Sequence, residues 1–307
     1  MGKTLLTAML FAGQGPQFVG MGQDLYNSSE EAKQVFNKAN EVLGFDIIKL
    51  CFEGPKEDLD QTINTQPAVF TYNMAVYYAV GQPKPDFFAG HSLGEVCAVV
   101  ASGSISLETG FKMIQKRAQF MQHTAEKNNG SMIAPIGLTA DDIAKAIDNI
   151  DDTYIANYNS EAQTTVSGTQ TALQTASSVL TEAGAKKVVN LAVSGAFHSP
   201  FMQEAADNFA KYLDEIYFKD ADVPVIANVD AQPKQSSEEI KLALSKQISA
   251  PVQFVKMLEF LNNHNVDTYA EIGPGKVLSN LVKRAYPEAN IFTADNLDNS
   301  LSLEGEG

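Results

Sequence analysis

Gly90-His91-Ser92-Leu93-Gly94 sets a serine two residues from a glycine on either side. A serine hydroxyl attacks a carbonyl carbon when a base takes its proton and donors receive the charge that develops on oxygen. A short apolar run over 87–89 precedes the motif, the length of a buried strand. Leu93, Val96, Val99 and Val100 follow at helical spacing. A strand-to-helix turn this sharp strains its central residue, and glycine on both flanks removes the Cβ clash. The pattern predicts a nucleophile elbow, with the Ser92 hydroxyl clear of the sheet and the Leu93 amide aimed at the same spot. A tight structural turn is the competing reading.

The chain has four histidines to supply a base. His198 sits in the small-residue turn Val193-Ser194-Gly195-Ala196-Phe197-His198-Ser199-Pro200, at the junction of two stretches of different rhythm. That makes it the best candidate. His91 adjoins the serine, but its side chain should point away from the hydroxyl, and His123 and His264 stand in polar surroundings. Gln14, between Gly13 and Gly15 just past a strand end, could donate to an oxyanion; spacing alone favours an ordinary turn residue. Arg117 falls within about 60° of the apolar stripe of its helix. A guanidinium on an inward face needs a partner, because a lone buried charge costs several kcal/mol. Either an internal carboxylate or a substrate supplies it.

These residues must be held by an alternating chain. Strands are expected over 4–11, 87–89, 225–229, 269–272 and 291–294. A capping box at Ser28 and Glu31 opens a helix that Gly44 stops. Gln66-Pro67 opens a helix that is apolar nearly all round over 68–80, and Ser106 caps one running to about residue 123. Ser236 and Glu239 form a second capping box, and further helices are expected over 254–263 and from 277. The turn Gly273-Pro274-Gly275 could cradle a phosphate, although a plain strand-to-helix turn is favoured. Between residues 127 and 197 the rhythm becomes β-α-β-β-α-β, a ferredoxin-like pattern complete in itself. The expected fold is therefore α/β. A large hydrolase-like domain with a central, mostly parallel sheet (1–126 and 198–295) carries an inserted ferredoxin-like small domain (127–197). An acidic tail over 296–307 is expected to be disordered.

Composition narrows the function classes. The chain has 307 residues, 44% of them hydrophobic, and a net charge of −15. That charge repels a phosphate backbone and argues against nucleic acid as a partner. No apolar run approaches a membrane span, and the N-terminus reads as a first strand rather than a signal peptide. Cys51 and Cys97 lie in apolar surroundings and read as buried thiols, which fits a reducing cytoplasm. Two cysteines and four histidines without close spacing argue against a structural metal site.

Taken in order, the landmarks resemble the malonyl-CoA:acyl carrier protein transacylases of fatty-acid synthesis, over nearly the whole chain. Phe11-Ala12-Gly13-Gln14-Gly15, Gln66-Pro67-Ala68, Gly90-His91-Ser92-Leu93-Gly94-Glu95, Lys116-Arg117, Asn157-Tyr158-Asn159-Ser160, Gly195-Ala196-Phe197-His198-Ser199 and Gly273-Pro274-Gly275 carry the similarity. Val96 and Cys97 depart from the usual residues after the elbow. The resemblance implies that Ser92 is acylated, that His198 is its base and that Arg117 holds the malonyl carboxylate. It implies that Gln14 and the Leu93 amide form the oxyanion hole. A main-chain carbonyl near Gln247, not a carboxylate, would orient the histidine. Phe197 beside His198 resembles the malonyl-type sequence. No cofactor is implied; the substrates are malonyl-CoA and holo acyl carrier protein, whose acidity would be met by a basic rim drawn from Lys112, Lys116, Lys186, Lys187, Lys276, Lys283 and Arg284. Nothing demands more than a monomer. A malonyl transferase serving polyketide synthesis is one alternative. A serine thioesterase or hydrolase is another, but it usually shows a third acidic residue and a glycine-rich oxyanion loop, neither of which is visible here.

Overall fold

The computed structural model describes residues 6–293, so the expected tail and the outermost residues of the first and last strands lie outside the described residues. In chain order the strands are β1 (Leu6–Phe11), β2 (Phe87–Gly90), β3 (Gly130–Ile136), β4 (Thr153–Ser160), β5 (Gln163–Thr169), β6 (Lys187–Asn190), β7 (Val225–Ile226), β8 (Pro233–Lys234), β9 (Val266–Ile272) and β10 (Asn290–Thr293). Six form a sheet in the order β10-β9-β1-β2-β7-β8, parallel except at the β7–β8 pair. Side chains of β1 alternate: Met9 and Phe11 enter one core, Ala8 and Leu10 another. A parallel strand covered on both faces reads as a continuous apolar run for this reason.

The other four strands form a separate antiparallel sheet, order β4-β5-β3-β6, wholly within 127–197. The helices Ala140–Ile147 and Gln170–Glu182 pack on it through a third core that includes Ile133, Ile143, Val166, Leu173 and Leu180. The α/β fold with a ferredoxin-like insertion is therefore as expected.

Several boundaries differ. Ser29, not Ser28, caps the helix Glu30–Leu43, accepting from the Ala32 amide; Ser28 ends a preceding short helix, Gln23–Ser28. The helix expected to open at Gln66-Pro67 begins four residues earlier and runs Thr62–Ala79 with Pro67 inside it. The helix capped by Ser106 continues to Asn128, five residues beyond the expected end. The strand expected over 225–229 pairs only at Val225–Ile226.

Candidate active site

In parallel sheets, ligands gather at the carboxyl ends of the strands. Here β1 and β2 are neighbours, and both end at the same edge. Past β2, Ser92 adopts φ 53°, ψ −112° and leads directly into the helix Leu93–Ala101. A non-glycine residue held at positive φ costs about 1–3 kcal/mol and must be over-determined by its surroundings. Glycine flanks and one asparagine do this. A Cβ on Gly90 would lie 2.0 Å from the Gly94 carbonyl carbon, and one on Gly94 would lie 2.2 Å from the Phe11 oxygen, so neither position admits a side chain. Asn228 clamps both flanks of the serine: its Oδ1 accepts from the Ser92 amide at 2.7 Å and its Nδ2 donates to the Gly90 carbonyl at 2.7 Å.

The hydroxyl so presented meets an imidazole. Ser92 Oγ lies 2.8 Å from His198 Nε2. On the far side of the ring, Nδ1 lies 3.0 Å from the Gln247 carbonyl and 3.2 Å from that of Ala250. Carbonyls only accept, so the proton sits on Nδ1 and the Nε2 lone pair faces the serine. His198 is buried. Burial first, and then the nearby Arg117 charge, pushes its pKa down to about 3, so the resting ring is neutral and able to accept a proton.

Arg117 comes from the helix Leu107–Asn128 and is 1% exposed. It reaches Gln66 Oε1 at 2.5 Å, Gln247 Oε1 at 2.7 Å and Ser92 Oγ at 3.1 Å. No carboxylate among the described residues pairs with it directly, and its buried Nε has no partner. Burial lowers its pKa to about 10, which leaves it charged near neutrality. Arg117 thus lines the cavity as a desolvated guanidinium beside the serine, with no acid of the described residues against it.

Leu93 heads its helix, so its amide has no intrahelical carbonyl to donate to. Gln14 lines the same cavity, and its Nε2 rests 3.4 Å from Thr62 Oγ1. Gly13 brings that loop against the elbow, since a Cβ there would meet the His91 oxygen at 2.6 Å. The cavity holds about 350 Å³. Phe197, Met132, Leu191 and Val193 give it an apolar wall, and Lys56 and Asp60, an ion pair, stand at its edge.

His91 also lines the cavity, and its Nε2 is tied to Asn159 Oδ1 at 2.7 Å. His123 and His264 are exposed. The turn after β9 is not an open phosphate cradle, because the Glu271 carboxylate already accepts from the Leu278 and Ser279 amides. Lys112, one of the basic candidates, is paired with Glu108. No group of three or more metal-ligating side chains occurs among the described residues.

Sequence reasoning gave no role to Asn228, Glu95 or the Gln66 side chain. Gln66 occurs in a recognised tripeptide and Glu95 in the elbow hexapeptide, but as signatures rather than as contacts. Asn228 left only a faint signal, a polar residue at the end of an apolar strand.

With the geometry in hand, comparison with known proteins is informative. Residues 8–299 match the acyl transferase domain family. The malonyl CoA-acyl carrier protein transacylase of Bacillus subtilis is 41% identical over 283 residues, covering 90% of this chain and 89% of its own. The transacylase structure from Coxiella burnetii superposes with a TM-score of 0.93 at 34% identity, covering 97% of this chain and 96% of that one. A malonyl-transacylase in complex with a type II PKS acyl-carrier protein gives a TM-score of 0.92 at 34% identity, covering 97% and 99%. The elbow, the carbonyl-oriented imidazole and the buried guanidinium thus stand on a shared scaffold: the chain belongs to the malonyl-CoA:acyl carrier protein transacylases of the acyl transferase family.

Proposed function

We propose that this chain moves a malonyl group from malonyl-CoA to the phosphopantetheine thiol of an acyl carrier protein, through a malonyl ester on Ser92. The observation that carries this reading is Arg117: buried, unpaired by any acid among the described residues, lining the cavity with its fork 3.1 Å from the nucleophile.

The steps follow from the donors and acceptors. His198 Nε2 takes the Ser92 proton as Oγ bonds to the thioester carbonyl carbon. The carbonyl electron pair moves onto oxygen, where the Leu93 amide and the Gln14 side chain receive it, each such donor contributing about 3 kcal/mol. The C–S bond then breaks, and the coenzyme A sulfur takes the proton from His198. In the second half the carrier thiol gives its proton to the same nitrogen and attacks the ester. Serine leaves and recovers the proton. Throughout, Arg117 grips the malonyl carboxylate and aligns the thioester, while Phe197 closes the acyl wall. The carbonyls of Gln247 and Ala250 support the imidazolium that forms in each half. Protein groups alone carry these steps.

Fatty-acid elongation is the use we infer, with polyketide synthesis the second. The buried thiols of Cys51 and Cys97 support a cytoplasmic setting, and we read the active unit as a monomer. Among the described residues no helix is long and apolar enough to cross a membrane.

Incubation with radiolabelled malonyl-CoA, with and without holo carrier protein, tests the reading. The expected result is label on the enzyme that passes to the carrier, and none on Ser92→Ala. Label released as free malonic acid in preference to transfer points to a hydrolase, and label persisting on Ser92→Ala removes the serine from the chemistry.

A further inference from the structure

Glu95 is 2% exposed in the first turn of the helix that follows the serine. It does not line the cavity, so it touches no substrate. Its Oε2 accepts from Gln247 Nε2 at 2.7 Å and from the Asn228 amide at 3.1 Å. The Gln247 amide is then spent at both ends. Nε2 also donates to the Ser92 carbonyl at 2.9 Å, while Oε1 accepts from Arg117 at 2.7 Å.

Above pH 7, where Glu95 is mostly ionised, its carboxylate only accepts. It therefore forces the NH2 end of Gln247 towards itself, and the oxygen end must face Arg117. Turned over, the amide would set N–H against the guanidinium and oxygen against the carboxylate, two repulsive contacts in a dry interior. The carboxylate and the guanidinium are thus opposite charges joined by one amide, with no direct ion pair. Each offsets part of the other's burial: desolvation holds Glu95 up at about 7 and Arg117 down at about 10, and their mutual attraction opposes both shifts.

We propose that Glu95 is a positioning residue for acyl selection: through the Gln247 amide it fixes how Arg117 is presented to the acid group of the acyl chain. The inference rests on the malonyl-transfer reading above. The main-chain carbonyl of Gln247, which orients His198, takes no part in this coupling, but the Ser92 carbonyl shares Gln247 Nε2, so an uncharged acyl group serves as the control for serine reactivity.

The test is Glu95→Gln, which keeps the volume and an acceptor but removes the charge that imposes the amide orientation. At pH 8, where Glu95 is ionised, steady-state transfer to holo carrier protein is followed over a range of malonyl-CoA concentrations and acylation by acetyl-CoA is followed separately, folding being checked by melting temperature. The expected result is a malonyl-CoA KM raised about tenfold with kcat nearly kept, and acetyl-CoA acylation within about twofold of wild type. An unchanged malonyl KM, or equal loss on both acyl groups, overturns the proposal. Should Glu95→Gln fail to fold, Glu95→Asp, one methylene too short to hold Gln247, reports the same ratio: a fall in malonyl over acetyl preference supports the proposal, and an unchanged ratio overturns it. Wild-type enzyme that takes no malonyl label counts against the function reading instead.

Discussion

Ser92 and His198 share an unusual backbone feature: both are non-glycine residues at positive φ, 53° and 55°. Each is carried in a strained turn that aims a short side chain into the cavity. The burial that isolates the pair also sets its response to pH. A pKa depressed to about 3 means that the neutral base persists as pH falls through 6.5, where an ordinary histidine would protonate. The single-turnover acylation rate at saturating malonyl-CoA should therefore hold from pH 7 to pH 5; an imidazole titrating at 6.5 would lose about 25-fold over that span. A decline centred near 6.5 would contradict the placement. The reactive groups were legible in the sequence because nucleophile, base and buried cation are rare types in telling local settings. Their supports were not. Asn228, Glu95 and Gln66 act through side-chain hydrogen bonds across 51 to 138 positions of chain, and no periodicity marks such contacts.

The adjacency of β1 and β2 brings the glycine loop after one strand against the elbow after the other, and the contact leaves no slack. The His91 amide donates to the Phe11 carbonyl at 3.0 Å, directly beside Gly94. Gly94→Ala would press a methyl group into that carbonyl, and overpacking of this kind costs about 3 kcal/mol. The expected outcome is a melting temperature lower by roughly 5–10 °C together with lost serine labelling; a variant as stable as wild type would mean that the two strands can part. Apolar spacing made these elements readable, since a strand buried on both faces and a helix buried all round each leave an unbroken hydrophobic run. Their ends were harder. Ser28 and Ser29 offer the same hydroxyl, and only the backbone at Ser29, φ −126° and ψ 123°, suits a cap. Pro67 suggested a helix start, yet the helix runs through it, packed on the helices Glu30–Leu43 and Leu107–Asn128. Packing there overrides the usual preference for proline in the first turn.

The nucleophile, the guanidinium and the carbonyls that orient the base lie outside residues 127–197, with His198 one residue past that stretch. The segment 127–197 supplies Met132, Asn157, Leu191, Val193 and Phe197 to the cavity. It is joined to the rest by a short parallel bridge, with Val252 donating to the Ala156 carbonyl and accepting from the Tyr158 amide, both at 2.9 Å, and by His91 to Asn159. Asn159→Ala removes the side-chain tie while leaving the backbone bridge. We expect the malonyl-enzyme, isolated without carrier, to lose its acyl group to water about fivefold faster, with little change in acylation, because the wall that excludes solvent is looser. An unchanged half-life would show that the backbone bridge suffices. The second sheet also has its own interior, built on Ile133, Ile143, Val166, Leu173 and Leu180 and distinct from the cores flanking the six-stranded sheet. The cavity wall does not rest on that interior, however: Met132 and Phe197 belong to the core that also holds Leu93 and Val96, and Leu191 and Val193 pack against it. Descendants of such a chain that recast the mould at Met132, Leu191 or Val193 must therefore also repack the core beneath the helix that follows the nucleophile.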